Sequence, residues 1–164
     1  MTQCSPGSFA DITTDQCVSI CPDQPLMYAR NDTRTCVDVC PDGEYGENTT
    51  RVCVAVCPSG SLSFPDTHLC LFECPITYYA YEPTQFCLSQ CQSPYYGDPS
   101  TRKCVLECPL NQLLFADNST RTCTKTCPDG SYAYQWSVAC LSSCPIANAP
   151  YVQTYAASYD NTCV

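Results

Sequence analysis

Residues 40–57 hold one complete copy of the pattern that decides the fold, Cys40-Pro41-Asp42-Gly43-Glu44-Tyr45-Gly46-Glu47-Asn48-Thr49-Thr50-Arg51-Val52-Cys53-Val54-Ala55-Val56-Cys57. A Cys-Pro step and a glycine come first, an aromatic residue follows, and two cysteines separated by three residues end the stretch. A chain with 18 cysteines in 164 residues is typical of a disulfide scaffold made where thiols are oxidised. The stretch therefore predicts a small disulfide-linked module.

The same pattern repeats along the whole chain. Eight Cys-x-x-x-Cys pairs recur at steps of 17 or 19 residues, and proline follows the second cysteine in seven of them, which disfavours helix there. Valine or leucine mostly follows the first cysteine of each pair, as expected for strands; this cysteine, like Cys163 at the end of the repeat, is called the closing cysteine. Each module is therefore predicted to run turn, strand, turn, strand. One large side chain stands eight residues before each closing cysteine: Phe9, Tyr28, Tyr45, Leu62, Tyr79, Tyr96, Phe115, Tyr132 and Tyr155. We expect a small disulfide-rich, mostly β and irregular fold, an extended tandem-repeat rod with a solenoid-like order.

The repeat also limits which cysteines can pair. Pairing within Cys-x-x-x-Cys leaves Cys4 and Cys163 without partners, and strand residues four apart are separated by roughly 13 Å, beyond the roughly 7 Å Cα limit of a disulfide. Pairing each second cysteine with the next first cysteine uses all of them. It predicts nine single-disulfide modules, each bounded by its own pair: Cys4–Cys17, Cys21–Cys36, Cys40–Cys53, Cys57–Cys70, Cys74–Cys87, Cys91–Cys104, Cys108–Cys123, Cys127–Cys140 and Cys144–Cys163.

This spacing resembles the furin-like or growth-factor-receptor cysteine-rich repeat, in its simplest, single-disulfide module. It is also similar to the long arrays of such repeats in ciliate surface proteins, whose consensus is close to residues 40–53. The resemblance covers the whole chain. It implies a bow-shaped loop in each module and an extracellular setting, and it names no ligand.

Composition excludes several classes of function. With 7 basic and 16 acidic residues, the chain is a poor partner for nucleic acid or anionic lipid headgroups. No run approaches the roughly 18 apolar residues of a membrane span, and the first residues carry no secretory signal pattern. With His68 as its one histidine and no thiol expected to be free, the chain offers no catalytic arrangement and calls for no cofactor.

Metal binding is the less favoured interpretation of the recurring cysteines and acids. The Cys-x-x-x-Cys spacing falls within the range of zinc ligands, but nine repeats with proline turns fit a series of disulfides better. Asp23, Asp42 and Asp129 follow Cys-Pro, yet no Asp-x-Asp string with a bidentate glutamate accompanies them. We expect neither a zinc nor a calcium site.

Three acceptor motifs for N-glycosylation begin at Asn31, Asn48 and Asn118, all five residues before a closing cysteine. N-linked glycans are therefore expected partners. Asn161 begins a weaker motif, because its third residue is the Cys163 predicted to form a disulfide.

Additional side chains suggest two surface features. Arginines two residues before a closing cysteine, Arg34, Arg51, Arg102 and Arg121, are interpreted as solvated turn residues rather than a basic row. Additional aromatic residues lie mainly in modules without acceptor motifs, and they either form contacts between chains or pad the modules from within. These candidate interface residues are Phe64, Tyr78, Tyr81, Phe86, Tyr95, Tyr134 and Trp136.

Two functions fit these features. The first is a secreted or cell-surface structural subunit that associates head to tail with itself, because neither end of the repeat shows the distinct cap that solenoids normally need. The second is a spacer or ligand-binding module of a larger receptor-like or adhesive ectodomain. Both are extracellular and neither is enzymatic.

Overall fold

The structure is a computed structural model that describes residues 4–145, 156–157 and 162–163. Each module contributes two strands of two or three residues, and the described residues contain one short 3-10 helix, Leu110–Gln112. The strands are β1 (Phe9–Asp11), β2 (Gln16–Val18), β3 (Tyr28–Arg30), β4 (Thr35–Val37), β5 (Tyr45–Glu47), β6 (Val52–Val54), β7 (Leu62–Phe64), β8 (Leu69–Leu71), β9 (Tyr79–Tyr81), β10 (Phe86–Leu88), β11 (Tyr96–Asp98), β12 (Lys103–Val105), β13 (Phe115–Asp117), β14 (Thr122–Thr124), β15 (Tyr132–Tyr134), β16 (Ala139–Leu141), β17 (Ala156–Ala157) and β18 (Thr162–Cys163).

Within a module the two strands form an antiparallel hairpin of fixed register. In the third module Tyr45 faces Val54 and Gly46 faces Cys53. The Cys-Pro-x-Gly turn before this hairpin is closed by the Glu44 amide, which donates to the Pro41 carbonyl at 2.9 Å. Gly43 has a φ of 81° in this turn, the value that a type II turn requires at its third position. The predicted order of turn, strand, turn and strand is confirmed.

Nine disulfides tie each opening cysteine to the second strand of its own module. They join the pairs derived above, with Cα–Cα separations from 5.5 to 5.7 Å. Their sequence separations are 13 residues in six modules, 15 in two and 19 in the last. Every described cysteine is therefore committed to a bridge.

Neighbouring modules meet through parallel pairing. The first strand of one module pairs with the second strand of the next, as in the bridges from Ala29 to Val52 and from Gly46 to Leu69. The chain divides into two compact units, residues 1–75 with 83–87 and residues 76–82 with 88–164. The same pairing operates inside both units, for example between Gly97 and Thr122 in the second.

The buried side chains form a series of small clusters. Each cluster holds one disulfide and the ring or apolar side chain of an adjacent position, as with Tyr28 against Cys40 and Cys53. The two modules with a separation of 15 residues add one buried residue each, Met27 and Leu114, which are 2% and 4% exposed. The described residues thus form the disulfide-rich, mostly β repeat that the sequence predicts.

The middle residue of the first strand is small in every module, and at Gly46 and Gly97 the ring of the preceding module lies over it. A Cβ atom built on Gly46 would approach the Tyr28 ring to 2.7 Å, and one on Gly97 would approach the Tyr79 ring to 2.6 Å. The other members of this position are Ala10, Ala29, Ser63, Ala80, Ala116, Ala133 and Ala156.

We expect Ala29→Leu to destabilise the oxidised protein by about 1–3 kcal/mol, the usual cost of overpacking. Ala29 is 2% exposed and packs with the Cys21–Cys36 bridge and Phe9. Chemical unfolding of the oxidised chain measures the difference. The matched control is Ala55→Leu in an exposed link, where a change within about 0.5 kcal/mol is expected. Equal effects of the two variants would contradict a packed junction at Ala29.

Candidate functional site

The junctions between modules are the most repeated structural site of the molecule. At five of them, the side chain that stands eight residues before the closing cysteine packs on the bridge of the next module. Phe9 packs on the cluster of Cys21 and Cys36, and Phe115 is buried with Cys127 and Cys140. Ring and disulfide together thus supply the apolar contact that a module too small for its own core lacks.

A residue with a left-handed backbone conformation provides a backbone hydrogen bond at the junctions. The residue two before the closing cysteine has a φ between 51° and 59° in eight modules, although none of the eight is glycine. In the second to eighth modules its carbonyl accepts the amide of the middle strand residue in the preceding module, as Arg51 accepts from Ala29 at 2.7 Å and His68 from Gly46 at 2.7 Å. The residues are Asp15, Arg34, Arg51, His68, Gln85, Arg102, Arg121 and Val138.

The side chains of several left-handed residues reach back to the preceding module. The Arg34 guanidinium donates to the Cys4 carbonyl at 3.1 Å, and the Arg51 guanidinium pairs with Asp23. His68 Nδ1 lies 3.1 Å from the Pro41 carbonyl. The arginines at this position are half-buried. Arg34 and Arg51 therefore act as junction contacts, in contrast to the expectation that they are solvated turn residues.

Arg121 makes a related contact in the second unit. Its guanidinium carbon lies 4.4 Å from the centroid of the Tyr96 ring, within the range of a cation–π interaction.

Asp42, one of the acids considered for calcium, has a carboxylate oxygen 3.7 Å from His68 Nε2. The acid of one module and the histidine of the next thus lie close together at this junction.

Buried acids hold the turns inside four hairpins. Asp11, Glu47, Asp98 and Asp117 end the first strands of their modules and are 3–8% exposed. Each carboxylate accepts from the two hydroxyl residues that follow. Glu47, for example, receives the Thr49 amide at 2.8 Å and the Thr50 amide and hydroxyl at 2.7 Å. Sequence reasoning missed this site, although an acid followed by Ser or Thr at two and three residues is its signal.

These hydrogen bonds keep the buried acids ionised. For Glu47, desolvation raises the pKa, but the bonds from Thr49 and Thr50 outweigh it and bring the pKa to about 2 from 4.5. Asp98 and Asp117 also have lowered pKa values, because their hydroxyl partners outweigh the same desolvation. The Tyr28 hydroxyl has a raised pKa through desolvation and the nearby Glu47 charge.

The three acceptor asparagines occupy equivalent, exposed positions in the hairpin turns. Asn48 Oδ1 accepts the Tyr28 hydroxyl at 2.7 Å and Asn118 Oδ1 accepts the Tyr96 hydroxyl at 2.6 Å. Asn31 follows a module with phenylalanine, Phe9, in place of that tyrosine. Asn161 lies outside the described residues.

The candidate interface aromatics differ widely in exposure. Phe64 is 7% exposed and Trp136 is 89% exposed. The others are half-buried, and some contact each other: Tyr81 and Tyr95 meet edge to face at 5.1 Å, and Phe86 meets Tyr45 at 5.9 Å. Tyr78 and Tyr134 belong to the half-buried group. Phe64 therefore packs inside its module, whereas the indole of Trp136 is exposed to solvent.

The stabilising effect of Glu47 should depend on pH. Because its pKa is lowered from 4.5 to about 2 in the folded state, its contribution is complete above 4.5 and is lost as the pH falls towards 2. NMR signals of the Thr49 and Thr50 amides, followed during acid titration, are expected to keep their hydrogen-bonded positions down to pH values near 2. Glu47→Gln should remove this acid transition while the rest of the molecule titrates as before. A midpoint near 4.5 for those amides would contradict the bonded carboxylate.

The described residues contain no group of three or more metal-ligating side chains. No helix in the described part of the chain has the length and apolar character needed to cross a membrane. Comparisons of the chain with protein-family models, with curated proteins and with solved structures give no match.

Proposed function

We propose that the chain is a non-enzymatic, glycosylated structural protein of the extracellular space or cell surface, whose copies associate end to end into a filament. The observation that carries this proposal is the repeated junction, in which the first strand of one module pairs with the second strand of the next; one copy of its receiving face, on the first module, has no partner among the described residues. The same face is covered by a neighbouring module at each internal junction inside the two units.

Exposure distinguishes this face from its internal counterparts. Cys36 is 0% exposed under the preceding module, and Ala29 is 2% exposed. Their equivalents in the first module, Cys17 and Ala10, are exposed and half-buried. An open groove of about 340 Å³ lies there, lined by Cys4, Ala10, Asp11, Ile12, Asp15, Gln16 and Cys17.

The groove contains the same structural features that contact the preceding module at the internal junctions. Ala10 is the small residue in the middle of β1. Asp15 has a left-handed φ of 57°, the same backbone conformation as the residues whose carbonyls accept an amide at the other junctions. In the filament, the first strand of a second copy adds beside Gln16–Val18 and its large side chain packs on Cys4–Cys17. The last module supplies such a strand in β17, through the amide of Ala156.

A contact of this kind is heterologous, because the donating strand and the receiving groove are different surfaces of the molecule. Heterologous contacts that do not close give open fibres. One-dimensional repeats suit such growth, since each unit contacts only its neighbours.

The disulfides and acceptor motifs support the proposed location. Nine bridges favour an oxidising compartment, and the compact Cys-Pro modules resemble furin-like repeats of surface proteins. Asn31, Asn48 and Asn118 are exposed on turns, as the attachment of a bulky surface glycan requires. We propose N-glycans at these positions.

A second candidate function rests on the same groove. If a preceding furin-like module of a longer chain fills it, the protein is a spacer or ligand-binding segment of a receptor-like or adhesive ectodomain. The nearly fully exposed Trp136 (89%) favours a ligand contact in that case, because exposed tryptophan is enriched at binding surfaces.

Electron microscopy of the unreduced, secreted chain separates these candidates. We expect fibres from the natural sequence and dispersed single molecules from Ala10→Leu, because leucine fills the receiving groove. Ala55→Leu makes the same change in an exposed link and should leave the fibres intact. Fibres formed equally well by Ala10→Leu would exclude this face as the contact. Single molecules of the natural sequence at all concentrations would overturn the filament and favour the ectodomain segment.

A further inference from the structure

An exposed aromatic ring lies beside one of the acceptor motifs. Phe72, in the link that follows β8, is 80% exposed, so the described residues bury little of its ring. Together with Asn48, Thr49 and Thr50 it lines an open groove of about 340 Å³, whose other walls are Glu47, Pro58, Ser59, Ser61 and Cys70. All of these residues belong to the first compact unit. Grooves of this size, roughly 300 Å³ and above, suit one small ligand.

The acceptor side chain is held in a fixed position beside this groove. Tyr28 is 1% exposed, so its ring cannot move freely, and its hydroxyl donates to Asn48 Oδ1 at 2.7 Å. N-glycosylation joins the sugar to Nδ2 of asparagine, and the hydrogen bond uses the other amide atom. The bond is therefore compatible with the modification, and it limits the directions in which a sugar can leave Asn48.

We propose that the groove binds the first N-acetylglucosamine of an N-linked glycan on Asn48, with an apolar face of the pyranose against the Phe72 ring. A pyranose presents C–H groups on its faces, and the negative face of an aromatic ring attracts them. Covering Phe72 also removes apolar surface from water. The inference rests on the glycosylation part of the proposed function and is independent of filament formation.

The chain contains its own comparison site. Asn118 stands at the equivalent position of another module and accepts the Tyr96 hydroxyl at 2.6 Å. The residue 24 positions after Asn48 is Phe72, whereas the residue 24 positions after Asn118 is Ser142. Ser142 is exposed and offers no ring. A sugar on Asn118 is thus held at its asparagine in the same way but lacks the surface on which to stack.

Asn31 provides a second comparison. The residue 24 positions after it is Ala55, and its preceding module carries Phe9, which has no hydroxyl. A sugar at Asn31 therefore lacks both the tyrosine bond and the ring. The expected order of sugar immobilisation is Asn48, then Asn118, then Asn31.

NMR of the secreted, isotope-labelled chain tests this site after an endoglycosidase has trimmed each glycan to a single N-acetylglucosamine. We expect nuclear Overhauser contacts between the pyranose protons on Asn48 and the Phe72 ring, with upfield shifts of those protons relative to the sugar on Asn118. Phe72→Ser should abolish both signals. Ser142→Phe should transfer the upfield shift to the sugar on Asn118. Intact mass under non-reducing conditions checks that the variants retain their disulfides.

Two outcomes overturn the proposal in distinguishable ways. A glycan present on Asn48 with the same shifts as the glycan on Asn118, unchanged by Phe72→Ser, would exclude stacking and leave the glycosylation proposal intact. An Asn48 that carries no sugar in the secreted chain would overturn both. Single molecules seen by microscopy would bear on the filament alone.

Discussion

The disulfide that closes each hairpin is the constraint on which the remaining structure depends. Strands of three residues cannot hold a hairpin together in water, because an isolated two-stranded hairpin is at best marginally stable. A bridge across 13 to 19 residues stabilises such a loop by about 3 kcal/mol in the chain-entropy model. The bridge also gives the neighbouring ring an apolar surface to cover, so it is both the link and the core of the module.

Junctions convert these separate loops into continuous units. A ring covers the next bridge, a small residue leaves room for the ring, and a left-handed carbonyl receives a backbone amide. Left-handed backbone costs a non-glycine residue roughly 1–2 kcal/mol. The structure offsets that cost with a side chain that glycine lacks: Arg34, Arg51 and Arg121 each contact the preceding module. These contacts explain why the second, third and seventh modules carry arginine rather than glycine at this position.

Cysteine spacing was enough to predict the modules, the strands around Tyr45 and Val54, and the pairing of the bridges, because these depend on residues close together in sequence. The junction contacts were missed, since they join residues about 20 to 30 positions apart and depend on a register that local patterns do not specify. Phe64 illustrates the limit: sequence marks it as an additional aromatic, but only the packing around it decides that it is buried. The hydrogen bonds from Thr49 and Thr50 to the Glu47 carboxylate could have been predicted, since the three residues are close together in sequence.

Mapping the disulfides of the secreted chain tests this account most directly. Peptic digestion at low pH prevents disulfide exchange, and tandem mass spectrometry of the unreduced peptides identifies the linked cysteines. The account predicts nine links, each between an opening cysteine and the next closing one, as in Cys40–Cys53. Links within a Cys-x-x-x-Cys pair, such as Cys53 to Cys57, or unpaired thiols in the folded chain would contradict it.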